Sequence, residues 1–167
     1  MMHTIRICVM MLLGLVLASC SATQERTSIE LPEQRPSDFT LGIVVFGEPE
    51  AGEIELRSAR YIIEPDGSLR ASFGEGSRGL TYPPITRRID ESTLDAIWDR
   101  VRSMDFAGED WRYVRAPEQF HAQMGSIRGY LIEIRSDVTF SAWSTDADTQ
   151  SIRTLTRELA SLAWVTE

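Results

Sequence analysis

Two stretches of this chain follow one plan, and that plan limits the fold more than any other feature. Tyr61-Ile62-Ile63-Glu64 and Tyr130-Leu131-Ile132-Glu133 each belong to a pair of apolar segments separated by turn residues. In the first pair, 59–73, the segments flank Pro65-Asp66-Gly67, and Asp-Gly suits a tight turn that needs positive φ. Leu69, Ala71 and Phe73 alternate there with Ser68, Arg70 and Ser72, as in a strand with one wet face. The second pair, 129–143, turns near Ser136-Asp137. Each hairpin precedes a stretch of helical periodicity: Leu94, Ile97, Trp98, Val101 and Met104 in one, Ile152, Leu155, Leu159 and Leu162 in the other. Asp90 is a good N-cap for the first, with Ile89 and Leu94 at the positions of a hydrophobic staple. Asp146 or Asp148 is expected to cap the second. Residues 39–46, β-branched and apolar, add a buried strand that ends at Gly47 and Pro49. Thr81 to Pro84 reads as a Pro-broken connector. The expected fold is α+β: an antiparallel sheet of about five strands built from two hairpin–helix units, with both helices packed on one face. An ancient duplication would produce this pattern, and so would two unrelated amphipathic units.

The N-terminus carries a different kind of signal. A short start with Arg6 is followed by an apolar or small-residue run from Ile7 to Leu17, then Ala18, Ser19 and Cys20. A spanning helix needs about 20 apolar residues, and this run is about half that length. Its flanks are those of a secretory signal peptide. Leu17-Ala18-Ser19-Cys20 resembles the lipobox of bacterial lipoproteins, a branched apolar residue and two small ones before the cysteine. The resemblance covers the first 20 residues. It implies cleavage after Ser19, diacylglycerol on the Cys20 thiol and a fatty acyl chain on its new amino group. Several chains anchor stably, at ~0.8 kcal/mol per buried methylene. Ser21 is not the aspartate that retains lipoproteins on the inner membrane in some bacteria. The resemblance therefore implies the outer membrane, facing the periplasm. The expected domains are a signal peptide over 1–19, lipidated Cys20 and a flexible tether over 20–37, and one α+β domain over 38–167. The tether expectation rests on the polar run from Ser21 to Ser37, which holds Pro32 and Pro36 and no apolar periodicity.

Composition narrows function mainly by exclusion. The formal charge is −8, which disfavours nucleic acid because phosphate binding needs a basic patch. All 17 basic residues are Arg, and Arg87-Arg88 is their one adjacent pair. Cys8 and Cys20 are the two cysteines. If Cys8 leaves with the leader and Cys20 is acylated, the mature domain has no disulfide and stands on its core alone. About 147 residues are enough for such a core. The plan is also similar to emfourin-type protease inhibitors, although no inhibitor motif matches residue by residue.

Chemistry-bearing groups are sparse. His121 is the one histidine beyond the leader, too few for a typical zinc site, and no glycine-flanked serine elbow accompanies it. Asp146-Ala147-Asp148 lacks the further oxygens and the glycine of a calcium loop. Phe73-Gly74-Glu75-Gly76-Ser77 opens no helix and carries an acid where a phosphate would lie. No cofactor or metal is expected. The 107–127 segment, long for a loop, holds Trp111, Tyr113, Phe120 and Met124 among Arg112, Arg115 and Pro117. Two readings stay open for it. Its aromatics cover the second sheet face, where Val44, Ile62 and Leu131 point away from the helices, or Trp111, Tyr113, Arg115 and Phe120 form a binding surface. The expected function is a lipid-anchored envelope protein that binds a protein or an envelope polymer. The alternatives are a carboxylate-dependent hydrolase of envelope polysaccharide, using acids near Glu109, Asp110 and Glu118, or an inhibitor of an envelope protease.

Overall fold

The computed structural model describes residues 31–48, 51–74, 77, 82–115, 128–137 and 140–163. Seven strands form one open antiparallel sheet. They are β1 (Thr40–Phe46), β2 (Ala59–Ile63), β3 (Ser68–Phe73), β4 (Ile85–Arg88), β5 (Arg112–Tyr113), β6 (Gly129–Arg135) and β7 (Phe140–Thr145). The order across the sheet is β4-β3-β2-β1-β6-β7-β5. Helices α1 (Glu91–Arg102) and α2 (Gln150–Ala163) pack against it.

Both expected hairpins form. Gly67 takes φ 78°, and a Cβ there would lie 2.4 Å from the Ile89 carbonyl oxygen, so the turn excludes a side chain on two counts. The Ser68 amide donates to Asp66 Oδ1 and the Gly67 carbonyl accepts from the Ile89 amide, which leads the chain from β4 into α1. As expected, Asp90 caps α1: its Oδ1 accepts from the Thr93 amide at 2.8 Å and from the Ser92 hydroxyl. These bonds, the Ser92 hydroxyl foremost, hold the Asp90 carboxyl below its ordinary pKa.

The sheet has seven strands rather than the expected five, because both edges are extended. β4 bonds to β3 and β5 to β7. Neither shows in hydrophobic periodicity: β4 is Ile-Thr-Arg-Arg, exposed or half-exposed throughout, and β5 is two residues long. Edge strands bury little, so no apolar alternation marks them; short, charged edges also resist pairing with other chains. The α2 cap also differs. The helix begins at Gln150, and the Arg153 amide donates to the Thr149 carbonyl. Asp148 instead accepts from the Tyr130 hydroxyl at 3.1 Å.

Alternation assigns each strand residue to a face. Leu41, Ile43 and Val45, Tyr61 and Ile63, Leu69 and Ala71, Tyr130, Ile132 and Ile134, and Trp143 pack with the stripes of both helices in one core. Phe39 meets Trp98 of α1 edge to face at 4.9 Å. The other face carries a small apolar cluster of Val44, Phe46, Leu131 and Ala142, joined by Val114.

Of the expected tether over 20–37, residues 20–30 lie outside the described residues. Leu31 packs against the main core, and Arg35, with 10% of its side chain exposed, pairs with Glu91 and Asp95 of α1. Residues 31–37 therefore lie along the domain, held by one apolar contact and a forked guanidinium that sequence periodicity does not register.

A second ionic contact closes the connection between β1 and β2. Glu55, 3% exposed in the 3-10 turn Ile54–Leu56, accepts from Arg153 and Arg157 of α2. The Arg157 guanidinium foremost, with Arg153, lowers the Glu55 carboxyl from 4.5 to about 2 against the opposing effect of burial. A depressed folded pKa means that the unfolded chain takes up the proton first. The stabilisation is therefore full above pH 4.5 and is lost as pH falls toward 2. Glu55→Gln is expected to lower unfolding free energy by about 1–2 kcal/mol at pH 7, since it removes the charge of a buried acceptor whose two arginine partners are themselves partly exposed. Urea denaturation at a series of pH values checks both points: the variant should show a smaller decline in stability below pH 4.5 than the parent.

Candidate functional site

The helix-free face of the sheet is divided along its length. Toward the end of β1, Val44 and Phe46 sit in the small apolar cluster. Toward its start the same face opens into a groove of about 200 Å³ lined by Thr40, Gly42, Arg60, Ile62, Tyr82, Glu133 and Arg135.

Strand register explains why these residues meet. Gly42 faces Ile62 on β2 and Glu133 on β6; Val44 faces Arg60, and Thr40 faces Arg135. Gly42 is thus the centre of a diagonal that runs from Arg60 to Arg135, with their Cα atoms about 16 Å apart by strand geometry. A glycine inside a strand often marks a close approach. Here a Cβ on Gly42 would lie 3.2 Å from Glu133 Oε2, so the glutamate carboxylate lies over the glycine. Glu133 is 3.8 Å from Arg135. Ile62, 6% exposed, supplies an apolar floor beside them.

Tyr82 forms a wall and is held in place from behind. Its hydroxyl donates to Glu64 Oε1 at 2.7 Å, and the Arg70 guanidinium lies 4.7 Å from its ring centre. Arg70 also donates to Glu64 Oε2 at 3.0 Å and to the Pro83 carbonyl. The Glu64 hydrogen bond, ahead of burial, raises the Tyr82 pKa, so the phenol stays protonated at neutral pH. More than half of Tyr82 remains exposed, which presents a fixed aromatic surface to solvent.

The residues singled out from the 107–127 segment lie elsewhere. Trp111 meets Phe106 edge to face at 4.9 Å, Phe106 stacks on Trp143 at 4.3 Å, and Tyr113 meets Trp143 at 6.4 Å. Trp111 and Tyr113 are half-buried against the core on the helix side, so they do not cover the second face; Val114 does pack there. Arg115 is exposed, and Cys20, Phe120, His121 and Glu118 lie outside the described residues. Glu109 and Asp110 are exposed on the turn leading to β5, away from the groove. Among the described residues, no group of three or more His, Cys, Asp or Glu side chains is placed to hold a metal ion.

Sequence reasoning missed the groove, although signals for it were present. Gly42 interrupts an apolar strand, and Arg60, Glu133 and Arg135 occupy outward positions in strands whose alternate residues are apolar. What was missing was register, which brings three separate strands to one point.

Because Trp111 and Tyr113 contribute packing, Trp111→Ala combined with Tyr113→Ala is expected to cost about 2–4 kcal/mol of stability, from lost burial and edge-to-face contacts. Urea denaturation followed by circular dichroism checks this, and any loss of binding in that variant has to be judged against it. No protein-family model, curated protein or solved structure matches this chain.

Proposed function

We propose that this protein is a lipid-anchored binding module of the bacterial cell envelope, and that it uses the groove on the helix-free face to hold a small polar ligand or the end of a larger one. The groove carries this reading: donor and acceptor side chains and a braced aromatic converge on a strand glycine at the middle of the sheet. Small-ligand sites set a few convergent polar groups among apolar and aromatic walls; here Ile62 and Tyr82 supply the walls, and charged groups outnumber them, which favours a polar ligand.

The anchor part of the reading rests on Leu17-Ala18-Ser19-Cys20 and its flanks. Acylation of Cys20 would leave residues 21–30 between the lipid and Leu31. Ten residues reach about 35 Å when fully extended, and about 15–20 Å on average as a flexible chain. Residues 31–39 then lead along α1 directly into β1, whose first residue Thr40 lines the groove. The ligand face would therefore sit within a short chain length of the bilayer, within reach of a partner in the envelope.

Mass spectrometry of the native protein tests the anchor. The expected species begins at Cys20 and carries fatty acyl groups, and Cys20→Ser should remain unacylated and leave the washed membrane fraction. A native chain with its leader intact, or one that begins elsewhere without a fatty acid, overturns this part of the reading.

A further inference from the structure

The charge pattern of the groove defines its ligand more closely, on the reading that the groove is a binding site. A simple anion would be drawn by Arg60 and Arg135 but would have to lie against the Glu133 carboxylate, which sits over Gly42 at the middle of the groove. A simple cation would meet Glu133 and be opposed by the two guanidinium groups. Glu133 offers only acceptors and the arginines only donors. Neighbouring charges of opposite sign 3.8 Å apart are best matched by a ligand that carries a cationic donor and an anion side by side in the reverse order. An α-amino carboxylate has that arrangement across one carbon atom. A groove of about 200 Å³ has room for a single residue of this kind rather than an extended chain.

We infer that the groove binds an α-amino carboxylate, either a free amino acid or the same zwitterionic centre borne on a larger molecule. The ligand ammonium donates to Glu133, its carboxylate accepts from Arg135, and its substituent lies along Ile62 toward Tyr82 and Arg60. Gly42 is required because a side chain there would press on the Glu133 carboxylate that receives the ammonium.

The test is an NMR titration of the isotope-labelled full chain in detergent micelles, following the amides of Gly42, Ile62 and Glu133. The probes are L-alanine, N-acetyl-L-alanine, L-alaninamide, γ-L-glutamylglycine and glucuronate. L-Alanine is expected to shift these amides at least about tenfold more tightly than N-acetyl-L-alanine or L-alaninamide, each of which lacks one of the two charges. Glu133→Gln should remove the preference over N-acetyl-L-alanine, which should bind at least as tightly as it does to the parent, while the preference over L-alaninamide, set at Arg135, remains; a loss of folding would not give this pattern. γ-L-Glutamylglycine binding as well as L-alanine assigns the zwitterion on larger molecules too, and its exclusion assigns the free amino acid. Equal binding of L-alanine and N-acetyl-L-alanine overturns the inference. Shifts with glucuronate alone, lost in Gly42→Val, also overturn it but leave the groove standing as a binding site. No shift with any probe removes both.

Discussion

The structure depends on the two-sided pairing of β1. Its one edge bonds to β2 from Leu41 to Val45, and its other edge bonds to β6 from Thr40 to Phe46. Each hairpin alone would be a two-stranded ribbon, marginal in water. Joined through β1, they become a single sheet whose helix-side face buries Leu41, Ile43 and Val45 together with residues from both hairpins and both helices. The pairing also explains why a domain lacking disulfides among its described parts can hold a core: the apolar residues of five strands and two helices meet in one cluster rather than two.

The same pairing creates the groove. Because β1 lies between β2 and β6, a residue missing its side chain on β1 is flanked by side chains from both hairpins. Gly42 is that residue, and Ile62 and Glu133 are its neighbours. The repeated Tyr-Ile/Leu-Ile-Glu segments behave alike in this respect. Tyr61 and Tyr130 are buried in the main core, whereas Glu64 and Glu133 work on the helix-free face, one bracing Tyr82 and the other lying over Gly42. Whatever their origin, the two copies put equivalent residues to different uses, since one pairs next to β3 and the other next to β7.

Ionic contacts do the joining that apolar packing leaves open. Arg35 attaches the segment before β1 to the first turn of α1, and Glu55 attaches the β1–β2 connection to α2. Both bring together residues far apart in the chain, and both lie where a connection crosses a helix. Each contact has one covered member, Arg35 in the first and Glu55 in the second, and partners that remain in contact with solvent, so both fall between an exposed pair and a fully buried one. An acidic chain with arginine as its sole basic side chain is suited to this, because the planar guanidinium can hold two carboxylate oxygens at once.

Local pattern alone was enough for the class of fold, the two hairpins, the first one's turn at Gly67, both helices and the Asp90 cap. Each depends on residues close together in the chain: a period of two or near four, a turn dipeptide, a carboxylate three residues before the amide it caps. The lipobox-like ending at Cys20 is likewise a local pattern, and it lies outside the described residues. The edge strands β4 and β5, the docking of Leu31 and Arg35, the inward packing of Trp111 and Tyr113, and the groove were decided by the tertiary structure. Each needs a partner distant in sequence, and the groove needs three strands in one register. Alternation says which residues share a face, but not which of them stand opposite each other; that is decided only when the strands pair.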